Sequence, residues 1–139
     1  MLRASHRNIF LYRDNPPSNL KLTAIQEDAM ELSNSLNLIK TLVFCSVVFV
    51  WVVRYSNIVE EFKQFGYPAW LRDLVGIAKL TLVTLMMTGG AEGVRIGAAG
   101  ISLLMLAALG THVRIGNPFP KMLPSLTLLA LNLLLFFNH

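Results

Sequence analysis

Residues Leu36–Val53 read LNLIKTLVFCSVVFVWVV, an apolar run in which Lys40 is the one charged side chain. A helix needs about 20 mostly apolar residues to cross the ~30 Å hydrocarbon layer of a bilayer. Three further stretches of similar length and character follow, at Trp70–Met87, Val94–Val113 and Phe119–Phe137. The sequence therefore predicts an all-α membrane protein, built as a four-transmembrane-helix up-down bundle with short polar turns.

Composition leaves little room for anything besides these helices. The chain has 139 residues, of which 54% are hydrophobic, and its formal net charge is +4. We expect residues 1–35 to form an extramembrane N-terminal arm and residues 36–139 to form the transmembrane domain. The basic residues lie largely near the ends of the apolar stretches, where they suit lipid head groups and give no indication of nucleic-acid binding.

Two segments of the arm carry a pattern. Residues 1–13 contain three arginines and no acid, which resembles an organellar targeting peptide, although a bacterial cytoplasmic tail has the same character. The expected location is therefore a bacterial inner membrane or a mitochondrial inner membrane. Residues 21–34 place Leu22, Ile25 and Leu32 on one helical stripe. They indicate either a short amphipathic helix on the membrane surface or on a partner, or a helical extension of the first span.

The connections between the spans are also predictable. The first span is expected to continue as one helix through Arg54 and to end at the Gly66-Tyr67-Pro68 sequence. Thr88–Gly93 reads as a tight turn before the third span.

Asn132, a polar residue in the fourth span, is expected to hydrogen-bond to another helix.

Lys79 is the most unusual residue of the spans. It follows Asp73 by six residues, which places it about 9 Å deeper along a helix. An ionisable group at such a depth usually faces a bundle interior or a wet cavity. The alternative is that its long stem carries the ammonium back to the head groups.

The end of the third span supplies further polar groups. His112 could carry a proton or donate a hydrogen bond to a quinone, or it could simply interact with the helix C-terminus. In an up-down bundle His112 and Lys79 lie nearer the same membrane side, so they could share one cavity. The candidate cofactor-binding contacts are Lys79, Thr111, His112 and Arg114, with a quinone or a lipid as the candidate ligand. No second ligand stands three or four residues from His112, so no metal site is predicted.

The third span also carries a row of small residues. The row comprises Gly93, Gly97, Gly100, Ala107 and Thr111. Small residues on one face allow helices to approach closely in lipid, so this row predicts a helix-packing surface.

No catalytic residues are predicted, because the sequence has no nucleophile–base–acid trio, phosphate loop or carboxylate pair. The leading prediction is a non-catalytic accessory subunit of a larger membrane complex, such as a respiratory or other energy-transducing assembly. Its partners would be the bilayer and other membrane subunits, reached through the N-terminal arm and the helix faces. The alternatives are a quinone-interacting membrane oxidoreductase component and a membrane assembly factor.

Two blocks of sequence resemble the DoxX-like family of small integral membrane proteins. One is Gly66–Leu71 with Leu74–Leu80; the other is Arg95–Gly100 with Met105-Leu106 and Gly110–Gly116. The resemblance covers about residues 38–137 and implies a four-helix bundle. Some relatives are associated with quinone-linked sulfur oxidation or oxidative-stress complexes, and one branch is similar to a receptor-assembly factor. Many members carry Glu where this chain has Lys79.

Overall fold

A computed structural model describes residues 18–139, and every regular element in that range is a helix. The helices are α1 (Ser18–Val48), a π-helical turn (Phe49–Val53), α2 (Tyr55–Gln64), α3 (Ala69–Thr88), α4 (Gly90–Ile115) and α5 (Phe119–Asn138). The contacts divide the chain into two units, Met1–Ser35 and Leu36–His139. The basic segment 1–13 lies outside the described residues. Residues 21–34, for which the sequence left two alternatives open, belong to α1.

Within residues 18–139, three helical segments are long and apolar enough to cross a membrane. They are Ser18–Val53, Gly90–Ile115 and Phe119–Asn138. The remaining long helix, α3, has 20 residues but carries Arg72, Asp73 and Lys79. The protein is thus an all-helical integral membrane protein.

The prediction of one uninterrupted helix through Arg54 is wrong. The backbone N–H of Arg54 donates to the Phe49 carbonyl at 3.2 Å, which closes a wide, five-residue π-type turn. Arg54 itself leaves helical geometry, with φ −102° and ψ 27°. A new helix, α2, begins at Tyr55. The wide turn presents the buried Trp51 side chain to α3, where Gly76 leaves space for the indole ring.

The turns between the later helices are short. Gly89 alone separates α3 from α4, so the predicted six-residue turn Thr88–Gly93 is in fact mostly the first turn of α4. At the other end, Gly116 caps α4 with φ 70°, and its N–H bonds to the Val113 carbonyl at 3.1 Å. A left-handed conformation of this kind is the usual reason for glycine just after a helix. Each turn reverses the chain within a few residues and brings consecutive helices side by side.

Helix α4 contributes more buried residues than any other helix of the unit Leu36–His139. It packs against both α3 and α5. Its buried residues are Gly93, Val94, Gly97, Ala98, Ile101, Ser102, Met105 and His112. The other helices contribute the rest of the hydrophobic core, which comprises Leu36, Val43, Val47, Trp51, Ile58, Val83, Met86 and Leu135.

The small residues of α4 do not all have the same surroundings. A β-carbon on Gly97 would lie 2.7 Å from the Leu82 carbonyl oxygen, and one on Gly93 would lie 2.6 Å from that of Leu85. At Gly100 the neighbours are the terminal methyl groups of Leu82, also at 2.7 Å. Backbone therefore limits the first two positions, whereas a flexible side chain limits the third. Farther along α4, Ala107 and Thr111 line a cavity.

Asn132 does not hydrogen-bond to another helix, contrary to the prediction from the sequence. Its side chain is fully buried, and Nδ2 donates to the Leu128 carbonyl of its own helix at 2.7 Å. Its Oδ1, like the buried Oγ of Ser102, has no hydrogen-bond partner among the described residues. The carbonyl one turn earlier is always within reach of a side-chain amide, so this local bond competes with bonds between helices.

Candidate functional site: an interhelical cavity

A cavity of about 270 Å³ lies within the unit Leu36–His139. Residues of the π-helical turn and of all the helices from α1 to α5 line it. Its apolar wall includes Val47, Trp51, Ile58, Phe62, Phe65, Val75, Leu104, Met105 and Leu128. Its polar groups come from Ser46, Arg54, Asn57, Glu61, Lys79, Thr111, His112, Lys121 and Ser125. This mixture of apolar wall and few polar groups is typical of sites for small amphipathic molecules.

Lys79 belongs to this lining, ten residues into α3 and therefore about 15 Å from its start. Its ammonium nitrogen lies 5.6 Å from the ring centroid of Trp51, in a cation–π arrangement. Gly76 is about one helical turn from Lys79, and a β-carbon there would overlap the six-membered ring of Trp51. Lys79 thus has its stem among apolar groups and its charge beside an aromatic face.

His112 is held on two sides. Its ring packs edge-on against Phe65 at 5.4 Å between centroids, and the Asn117 side-chain nitrogen lies 2.9 Å from Nδ1. With the amide N–H as the donor, Nδ1 accepts this hydrogen bond, and in that tautomer the ring hydrogen is on Nε2. His112 is 8% exposed. One interpretation of the sequence was that His112 simply interacts with the helix C-terminus. That interpretation does not include the packing against Phe65.

Thr111 joins the cavity wall to the loop before α3. Its hydroxyl donates to the Ala107 carbonyl at 3.0 Å. Its oxygen therefore accepts the second hydrogen bond, from the Tyr67 hydroxyl at 3.1 Å. Tyr67 also packs against Phe62 and Phe65, at 6.1 and 6.2 Å between ring centroids. An aromatic cluster thus supports this side of the cavity.

Helix α2 is attached at its start to the start of α3. Tyr55 donates from its hydroxyl to Asp73 at 3.2 Å, and Arg72 forms an ion pair with the same carboxylate at 2.8 Å. The Arg72 guanidinium also lies 5.2 Å from the Tyr55 ring centroid. These contacts position the helix that supplies Glu61 and Phe62 to the cavity.

Three of the four residues predicted as ligand contacts come together. Lys79, Thr111 and His112 line the cavity, whereas Arg114 is exposed and does not. Sequence reasoning did not identify Trp51 or Glu61 as cavity residues, because the break at Arg54 that positions both has no sequence signal. Lys121 was recognisable only as a basic residue near a span end.

These features define a class of protein: a helical integral membrane protein with a small, partly polar cavity between its helices. A family model described as the DoxX-like family matches residues 35–135, which is more than half of the chain. The protein belongs to the DoxX-like family. Comparison with the curated proteins and with the solved structures gave no match.

Proposed function

We propose that α3 also crosses the membrane, so that the protein is a four-span up-down bundle. Its 20 residues correspond to about 30 Å, the thickness of a hydrocarbon core. Arg72 and Asp73 lie in its first turns and neutralise each other at 2.8 Å. Lys79 is then the one charge of α3 that lies deep, and it has a cavity to face. The location, in a bacterial or a mitochondrial inner membrane, stays a prediction.

We propose that the protein is a non-catalytic, ligand-binding component of the membrane, whose interhelical cavity holds a small amphipathic molecule. The observation that carries this proposal is the convergence of Lys79 and His112, from different helices, on one cavity of about 270 Å³. A quinone-type ring is a candidate ligand, since Lys79 Nζ and His112 Nε2–H both donate hydrogen bonds that carbonyl oxygens accept. Electrons for a quinone would have to come from a partner protein.

Filling the cavity tests this function. Ala108 on α4 lines the cavity, and Ala108→Trp should occupy much of its volume. We expect the parent protein, purified in mild detergent, to retain a small organic molecule that solvent extraction and mass spectrometry detect. Its amount per protein should fall about tenfold or more in the variant.

The matched control is Ala99→Trp, on the same helix but exposed and outside the cavity lining. It should leave the amount of retained molecule unchanged. Equal retention by the parent and by Ala108→Trp would contradict a ligand site in this cavity.

A second candidate function is that of an accessory subunit in a larger membrane assembly. The unit Met1–Ser35 favours it, because the apolar side chains of its described part are exposed, with Leu22 at 65% and Ile25 at 64%. The partner would be another membrane subunit that covers this stripe. An assembly factor would use the same surface, but only transiently.

Native electrophoresis after mild-detergent extraction tests the subunit proposal. We expect the parent to migrate as part of a larger particle, and Leu22→Ser with Ile25→Ser to release it. Gln26→Ser, at the polar residue that follows Ile25, is the control and should change nothing. Migration of the parent as a lone protomer or a simple homo-oligomer would count against a stable subunit.

A further inference from the structure

We propose that the ligand of the cavity is a small carboxylic acid with an apolar body, and that its carboxylate binds at Lys79. This inference rests on the proposed function, because it names the chemical class of the molecule that the cavity holds. It differs from the neutral quinone considered above in requiring a negative charge.

The charges of the lining favour an anion. Arg54, Lys79 and Lys121 are cationic, whereas Glu61 is the single acid among the residues that surround the cavity. Three positive charges against one negative charge leave an excess of two positive charges around the cavity. A surface with this balance attracts anions and disfavours cations.

Lys79 in particular has no direct ion pair among the described residues. Neither the ion pair of Arg72 with Asp73 nor that of Arg95 with Glu92 involves Lys79. Glu61 of the same lining lies close enough for its charge to act on Lys79, but beyond the distance of a direct ion pair. The one close partner of the ammonium is the Trp51 ring at 5.6 Å, which attracts a cation but accepts no strong hydrogen bond.

A carboxylate would complete this site better than a neutral ring would. An ammonium group against an apolar wall is costly unless it is paired and hydrogen-bonded. A quinone carbonyl accepts a hydrogen bond but leaves Lys79 without a directly bonded counter-ion. A carboxylate oxygen accepts the same hydrogen bond and supplies the missing charge, which makes the bond stronger.

The size and wall of the cavity limit the rest of the ligand. A volume of about 270 Å³ lies just below the ~300–1,000 Å³ of sites for drug-sized molecules. It therefore suits a ring or a short alkyl chain, and it is too small for a two-chain phospholipid. The side chains of Trp51, Phe62 and Phe65 supply an aromatic wall, against which a ring or a chain can pack.

The test uses full-length protein in nanodiscs of phosphatidylcholine, a lipid without net charge. The chain has two tryptophans, and Trp70, which is 67% exposed, lies outside the cavity lining. In a Trp70→Phe background the remaining tryptophan, Trp51, reports on binding through its fluorescence. The probes are 2-naphthoate and octanoate, their uncharged amides 2-naphthamide and octanamide, and the neutral quinone menadione.

We expect at least one acid to bind about tenfold or more tightly than its amide, because a hydrogen bond to a charged pair is stronger than a neutral one. Comparison of 2-naphthoate with octanoate shows whether the body is a ring or a chain. Lys79→Met should abolish the preference for the acid over the amide. Lys63→Met, an exposed lysine outside the lining, should preserve it.

Glu61→Gln gives a second, independent test, in which the affinity for the acid should rise instead of fall. It removes the one negative charge of the lining, so it should tighten the binding of the acid and leave that of the amide unchanged. This expectation holds even if Lys79→Met fails to fold.

Equal binding of acid and amide, tighter binding of menadione than of both acids, or an unchanged preference in Lys79→Met would overturn the inference. In those cases the protein still binds a small molecule and the proposed function stands. The proposed function itself fails if Ala108→Trp retains as much extracted molecule as the parent.

Discussion

Gly97→Ala should destabilise the bundle by about 1–3 kcal/mol, although it adds a single methyl group. That methyl group would lie 2.7 Å from the Leu82 carbonyl oxygen and 3.0 Å from the Met86 β-carbon. Both atoms are held by the α3 backbone, so neither can rotate away as the end of a long side chain could. Helices α3 and α4 would have to separate, and the close packing that glycine permits in lipid would be lost.

The measurement is the midpoint temperature of unfolding in a mild detergent, compared with that of Gly110→Ala. Gly110 lies on the same helix, and a β-carbon there would meet nothing within 4 Å. The control substitution should be neutral or slightly stabilising, because alanine is the better helix former. If Gly97→Ala and Gly110→Ala unfold at the same temperature, α3 and α4 do not pack as closely as the structure has them.

Gly76 and Trp51 should show strong energetic coupling, which is the second large effect that we expect. A β-carbon on Gly76 would overlap the Trp51 ring, so Gly76→Ala should force the indole out of its place beside Lys79. Trp51→Ala removes the ring itself, and truncation of a buried tryptophan typically costs about 3–5 kcal/mol. Once the ring is gone, Gly76→Ala should cost little more.

A double-mutant cycle measures this coupling. The free energy of unfolding is compared for the parent, Gly76→Ala, Trp51→Ala and the double variant. The double variant should be more stable than the sum of the two single effects predicts. Ile77→Val, at the exposed neighbour of Gly76, is a control that should combine additively with Trp51→Ala. Additive behaviour of Gly76→Ala and Trp51→Ala would show that the indole does not lie against Gly76.

The long helices after Arg54 were predictable from the sequence, because each is an apolar run of about membrane length that begins just after a glycine or a proline. The stretch Val94–Val113, for example, lies within the helix Gly90–Ile115. The break at Arg54 was not predictable. The sequence FVWVVRYS around it holds no glycine or proline, so nothing local opposes a continuous helix. We infer that tertiary packing of Trp51 against α3 favours the wide turn.

The candidate site was predictable only in part, for a similar reason. Antiparallel connectivity predicts that Lys79 and His112 lie toward the same end of their helices, and the structure places both in the cavity lining. Arg114 is two residues beyond His112, which turns it about 200° around the helix and away from the cavity. Glu61 lies on α2, whose position depends on the unexpected break and on the contacts of Tyr55 with Asp73. Sequence spacing within one helix cannot specify such contacts between helices.

The wide turn Phe49–Val53 also makes the cavity sensitive to chain length. A π-type turn holds one more residue than an α-helical turn, so deletion of a single codon in this segment could be absorbed as ordinary α-helix. Each residue of a helix is rotated by about 100° from the next, so the deletion would change which side chain faces Gly76. The span could keep its length and apolarity while the cavity lost its tryptophan wall. Among members of the family, the number of residues between Leu36 and Arg54 would then distinguish chains that can form this cavity from chains that cannot.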